Sequence, residues 1–286
     1  MVAGNKGIDV DTTSGKATVN VNDGGSSLLA VHSTGNAIDV TTTSGGVDIN
    51  ILNDTGVLSD AGNGILVNTQ SGNVNINMTA MTNTLFTGQT GVHVNNQTGN
   101  TSIIDGFAGG LDSGFWLTST TGTIVADTDV AIGGQWGVRA ESRSGLVKVL
   151  VNNKLGFGSS VIEGDQAIFA STGGAGEVIV DLAADTFVGQ NFYATTRFGV
   201  TTAAVNGETT VTSRGAVSGS EAGILSQSTG TGDITINVLG GSVSSSQEGI
   251  AARQTGTGNV NSLSRAATFR ATTGRYLRKP IPAISV

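Results

Sequence analysis

Cysteine is absent from the 286 residues, which excludes disulfides and thiolate metal sites and leaves the compartment open. Proline occurs twice, at Pro280 and Pro282, so none interrupts the chain before its last seven residues. Charged residues are only 12% of the chain, and His32 and His93 are its two histidines. So few charges and so regular an apolar pattern exclude disorder. No stretch approaches the ~18–20 apolar residues of a membrane-spanning helix, and no window carries a helical i, i+3, i+4, i+7 stripe. Phosphate-binding Gly-x-x-x-x-Gly-Lys-Ser/Thr, His-Glu-x-x-His, Gly-x-Ser-x-Gly and the calcium-binding Gly-Gly-x-Gly-x-Asp series are all missing. No cofactor and no metal is expected.

The net charge of −7 is unevenly spread. Arg265, Arg270, Arg275, Arg278 and Lys279 follow the last acid, Glu248, so the preceding body holds 9 Lys+Arg against 21 Asp+Glu. An acidic body does not suit a phosphate backbone, and nucleic acid is excluded as a partner.

What is abundant is glycine, 44 residues, and it is not on the three-residue period of collagen. It marks a repeat: Gly–apolar–x–apolar, then Ser/Thr-Gly, then alternating apolar residues. The motif opens at Gly7, Gly64, Gly91, Gly114, Gly137, Gly223 and Gly249, with looser copies from Ala37, Ala167 and Asn191. The mean interval is roughly 27 residues, in the range of solenoids. Within a copy, Ile65 and Val67 share one face of a strand, and after the turn at Ser71-Gly72 the residues Val74, Ile76 and Met78 alternate with asparagines. A short third stretch follows, such as Asp129–Ile132. Three short strands per repeat predict an all-β fold, a single-stranded parallel β-helix of about ten coils, right-handed because parallel crossovers usually are. Propeller blades need ~40–50 residues, and a sandwich would not repeat one turn ten times. Asn20, Asn50, Asn75 and Asn77 are read either as stacked ladders or as solvated strand faces.

The repeats divide the chain into a β-helical region over 1–261 and an irregular basic tail over 262–286, the latter read as a cap, a tail without native role or an out-of-frame stretch. Phrases such as Gly223-Ile224-Leu225-Ser226-Gln227-Ser228-Thr229-Gly230 and Gly249-Ile250-Ala251-Ala252-Arg253-Gln254-Thr255-Gly256 resemble the passenger regions of bacterial autotransporter proteins. The resemblance covers residues 7 to 261 and rests on the succession of copies. It implies a right-handed β-helix exposed at the bacterial cell surface or secreted, attached to the outer membrane through a C-terminal β-barrel. No signal peptide precedes the first copy and no barrel follows the last, so a passenger fragment or a mis-bounded reading frame is expected. The function implied is a non-enzymatic stalk or adhesin whose partner is a host surface, a cell surface or a polysaccharide.

The alternative is a polysaccharide lyase or glycoside hydrolase of the β-helix class, which uses acidic clusters on adjacent coils. Asp9 and Asp39 share a repeat position and Asp48 joins the second coil, while Asp127/Asp129 and Asp181/Asp185 are similar pairs. The same outward position reads Asp9, Asp39, Leu66, His93, Trp116, Arg139, Phe169, Tyr193, Leu225 and Ala251. Its centre, Leu66, His93, Trp116, Arg139, Phe169 and Tyr193, is the candidate ligand-binding strip, since exposed aromatics suit sugar faces or a partner surface. A loop folded over the strip is the competing expectation.

Overall fold

A computed structural model describes residues 4–22, 29–52, 55–79, 86–152, 159–190, 195–264 and 268–271. These residues are all-β and form a solenoid of about nine turns. Every strand pairing is parallel. The first strands of the coils build a ten-stranded ladder from Ile8–Ser14 to Glu248–Gln254. Its register is unbroken: Ile8, Ile38, Ile65, Val92, Phe115, Val138, Ile168, Val200, Ile224 and Ile250 lie one above the next. The second strands stack likewise, from Ala17–Asn22 to Val260–Ser264, with Val19, Ile49, Ile76, Ile103, Ala126, Val149, Val180, Val211 and Ile236 in one column. A third, shorter ladder runs from Leu29–Ser33 to Thr268–Ala271.

Period-two alternation explains this arrangement. In Val47–Leu52 the residues Val47, Ile49 and Ile51 are fully buried while Asp48, Asn50 and Leu52 are half-exposed. Each buried aliphatic side chain is worth roughly 1.5–3 kcal/mol, and each coil keeps that gain only because its neighbours cover both backbone edges.

Glycine sets the corner between first and second strands. Gly15, Gly45, Gly72 and Gly99 have φ of 91°, 134°, 117° and 132°, a region L side chains rarely adopt. The column continues through Gly122, Gly145, Gly176, Gly207, Gly232 and Gly258, each of whose absent Cβ would lie 1.6–2.1 Å from the carbonyl oxygen of the glycine one coil earlier. The corners therefore stack in direct backbone contact.

In the two middle coils the second and third strands fuse. Thr101–Gly110 and Ile124–Ile132 each pass through both ladders without breaking, the former bending at Asp105 (φ 51°) and Gly106. Gly106 is required there because a Cβ would meet Phe115 Cζ at 2.6 Å, and Phe115 is the bulkiest of the fully buried side chains.

Two expectations change. The eighth coil does not open at Asn191: its first strand is Phe198–Ala204, with Gly199 at the anchor and Val200 beneath Ile224. The motif was obscured because Thr202 replaces the second inward apolar residue, and its buried hydroxyl donates to Ser226 Oγ at 2.7 Å in the next coil. The ladder also runs past residue 261. Ser262, Leu263 and Ser264 pair with Ile236, Asn237 and Val238, and Thr268–Ala271 pairs with Ser242–Ser245. The rest of the basic tail, 272–286, lies outside the described residues.

The asparagines do form ladders in part. Asn50 donates to Asn20 at 2.8 Å and Asn63 to Asn36 at 3.1 Å, while Asn75 donates to Asp48 at 3.0 Å.

Candidate functional site

The first-strand ladder brings Leu66, His93, Trp116, Arg139 and Phe169 into one outward column on consecutive coils. Tyr193 lies outside the described residues, and its expected place in the column is taken by Thr201, opposite Phe169. The column is closed more tightly than alternation alone suggests: all five side chains are half-buried. The His93 and Trp116 rings stack at 4.8 Å with 11° between their planes, and the Arg139 guanidinium covers Trp116 at 4.6 Å. His93, Trp116 and Arg139 occupy successive coils, so the imidazole and the guanidinium flank the indole. Its Nε1 is buried and has no hydrogen-bond partner among the described residues.

Two residues absent from the expected strip complete the cluster. Trp136 contacts Arg139 at 4.4 Å and Trp116 at 6.0 Å, and Glu141 accepts from Arg139 Nε at 2.6 Å. Trp136 is three residues before Arg139, which strict alternation places on the opposite face. In Trp136–Ser142 the burial runs half-buried, buried, buried, half-buried, so the pleat breaks at Gly137 and both side chains point outward. The tryptophan just before a glycine anchor was the available signal. These contacts use cation–π and stacking energy of about 0.5–2 kcal/mol each.

His93 has its pKa held below the usual value of 6.5, first by burial and then by the Arg139 charge, with Asp112 opposing. A histidine neutral in the fold but chargeable in the unfolded chain costs stability on acidification. Its contribution is complete above the unfolded pKa of 6.5 and is lost as pH falls below it toward the folded value. The melting temperature of His93→Gln is therefore expected to depend less on pH than that of the parent as pH falls below 6.5. Parallel pH profiles would contradict this.

Five of the acidic candidates, Asp9, Asp39, Asp48, Asp127 and Asp181, are matched by partners. Lys6 Nζ bridges Asp9 at 2.8 Å and Asp39 at 3.0 Å, with Asn36 donating to Asp39 as well, and the Lys6 pKa is raised by these hydrogen bonds. Asp48 is held below its usual pKa first by the hydrogen bond from Asn75 and then by Lys16. Asp181 pairs with Arg214 at 2.6 Å and Asp127 accepts from Asn152 at 2.9 Å. Among the described residues no group of three or more His, Cys, Asp or Glu side chains is placed to hold a metal ion.

Beside the aromatic column lies an open groove of about 190 Å³ across the second to fourth coils. Thr41, Asn68 and Asn95 form one wall and Thr43, Gln70 and Gln97 the other, with Thr42 and Thr69 between them. No family model, curated protein or solved structure matches the chain.

Proposed function

We propose that the chain is a non-enzymatic, surface-exposed or secreted β-solenoid of the autotransporter-passenger kind, which holds a contact surface away from the cell. The observation that carries this reading is the contrast between a constant frame and a variable face. Inward columns repeat Val, Ile, Leu and Ala, and the corner column repeats glycine, whereas the outward column changes in nearly every coil through Asp39, Leu66, His93, Trp116, Arg139, Phe169 and Thr201. A frame specified in every coil provides rigidity, with ten first strands spanning roughly 45 Å at ~4.8 Å per coil. The outward residues are then free to determine contacts, and the exposed parts of Trp136 and Phe169 offer apolar area for a partner surface.

The test is attachment of bacteria displaying residues 1–286 to epithelial cells and to polysaccharide-coated plates. The parent is expected to attach, and Trp136→Ser with Phe169→Ser to attach at least several-fold less while keeping its β-sheet circular dichroism. Equal attachment by displayed parent and empty display strain would refute the reading. Release of reducing ends or unsaturated sugars from polysaccharide by the purified chain would replace it with the polysaccharide-degrading one.

A further inference from the structure

The amides of the groove differ from those of the asparagine ladders. Asn20, Asn36, Asn50, Asn63, Asn75 and Asn96 side chains are committed to ladder or backbone hydrogen bonds. Asn68 lies directly between Thr41 and Asn95 in register, where a similar ladder is available. The Asn68, Gln70 and Gln97 side-chain amides nevertheless make no hydrogen bond among the described residues, and Asn95 accepts only a 3.3 Å contact from Thr118. Free donors and acceptors thus line both walls over three coils, repeating at about 4.8 Å along the axis.

From this geometry we infer that the groove binds an extended, uncharged polysaccharide chain lying along the solenoid axis. This deepens the proposed adhesive reading by naming a ligand class and a second site beside the aromatic column.

Three features select that class. First, none of the lining side chains is charged, so nothing compensates a carboxylate, sulfate or phosphate. The nearby Asp39 carboxylate is already held by Lys6 and Asn36. Second, primary amides and hydroxyls each both donate and accept, which matches sugar hydroxyls of either orientation. Third, the strands beneath the groove are paired on both sides, since Ile65–Ser71 lies between Ile38–Ser44 and Thr90–Thr98. No backbone edge is left there for a peptide to add as a strand. Leu66 and His93, two residues before Asn68 and Asn95, border the groove with half-buried apolar surface for a sugar face.

The experiment is affinity electrophoresis of the purified chain in gels containing hydroxyethyl cellulose, galactomannan, dextran or polygalacturonate. At least one uncharged polymer is expected to retard the chain, and polygalacturonate is not. Gln70→Ala with Gln97→Ala removes two exposed side chains, so the fold is expected to persist, with melting temperature as the check. Loss of two or more hydrogen bonds should weaken retardation about tenfold. Asn75→Ala, outside the groove, should leave it unchanged. Absence of retardation by all three uncharged polymers, equal retardation of the double variant, or equal retardation by polygalacturonate would each overturn the inference. Cell attachment that survives in the double variant while uncharged polymers fail to bind would remove the groove ligand and leave the adhesive reading standing.

Discussion

Ile76→Asp is expected to destabilise the chain by about 4 kcal/mol or more, enough to abolish cooperative melting of the surrounding coils. Ile76 is fully buried in the column between Ile49 and Ile103. A carboxylate there meets only aliphatic side chains above and below, with no cation or donor to compensate it. The neighbouring change, Asn75→Asp, sets the contrast. Asn75 is exposed and donates to Asp48 at 3.0 Å, so an aspartate loses that bond and opposes a like charge, partly relieved by Lys16. A cost of about 1 kcal/mol is expected. Thermal melts of the two variants compare them directly. Equal shifts would mean the second-strand register is displaced by one residue, which would turn every side chain to the other face.

The second large effect lies in the backbone itself. Gly15 and Gly99 both have positive φ, 91° and 132°, but they differ in surroundings. A Cβ on Gly15 meets nothing within 4 Å, whereas one on Gly99 falls 2.1 Å from the Gly72 carbonyl oxygen. Gly15→Ala should therefore cost only the conformational strain, about 1–2 kcal/mol. Gly99→Ala adds a collision with backbone that cannot rotate away, and about 3 kcal/mol or more is expected. Chemical denaturation of both variants measures the difference. If they lose the same stability, close approach of successive corners is not what holds the glycine column in place.

Much of this was legible because the solenoid writes its constraints locally. Alternation in Val74-Asn75-Ile76-Asn77 identifies the buried face within four residues, and a fixed offset from each glycine anchor places Leu66, His93, Trp116, Arg139 and Phe169 in one column. The signal fails where a local rule is broken for a packing reason. Thr202 and Ser226 satisfy each other inside the core, so the eighth coil lost its apolar signature and Tyr193 was assigned a position that belongs to Thr201. Gly137 interrupts the pleat and turns Trp136 outward beside Arg139. The partners of the charges, Lys6 between Asp9 and Asp39 and Glu141 on Arg139, depend on side-chain reach rather than period. The free amides of the groove are distinguished from laddered ones only by bonds they do not make, which no pattern of residue types records.

The fused strands Thr101–Gly110 and Ile124–Ile132 have a mechanical consequence. Elsewhere a pull along the chain meets the second and third strands as separate, shorter elements, each held in one ladder. In these two coils the same pull must shear a nine- or ten-residue strand across two ladders at once. Unravelling that begins at either end therefore advances coil by coil and stalls at the centre, where Trp116 and Phe115 also sit. Under tension the rod keeps its aromatic segment folded longest.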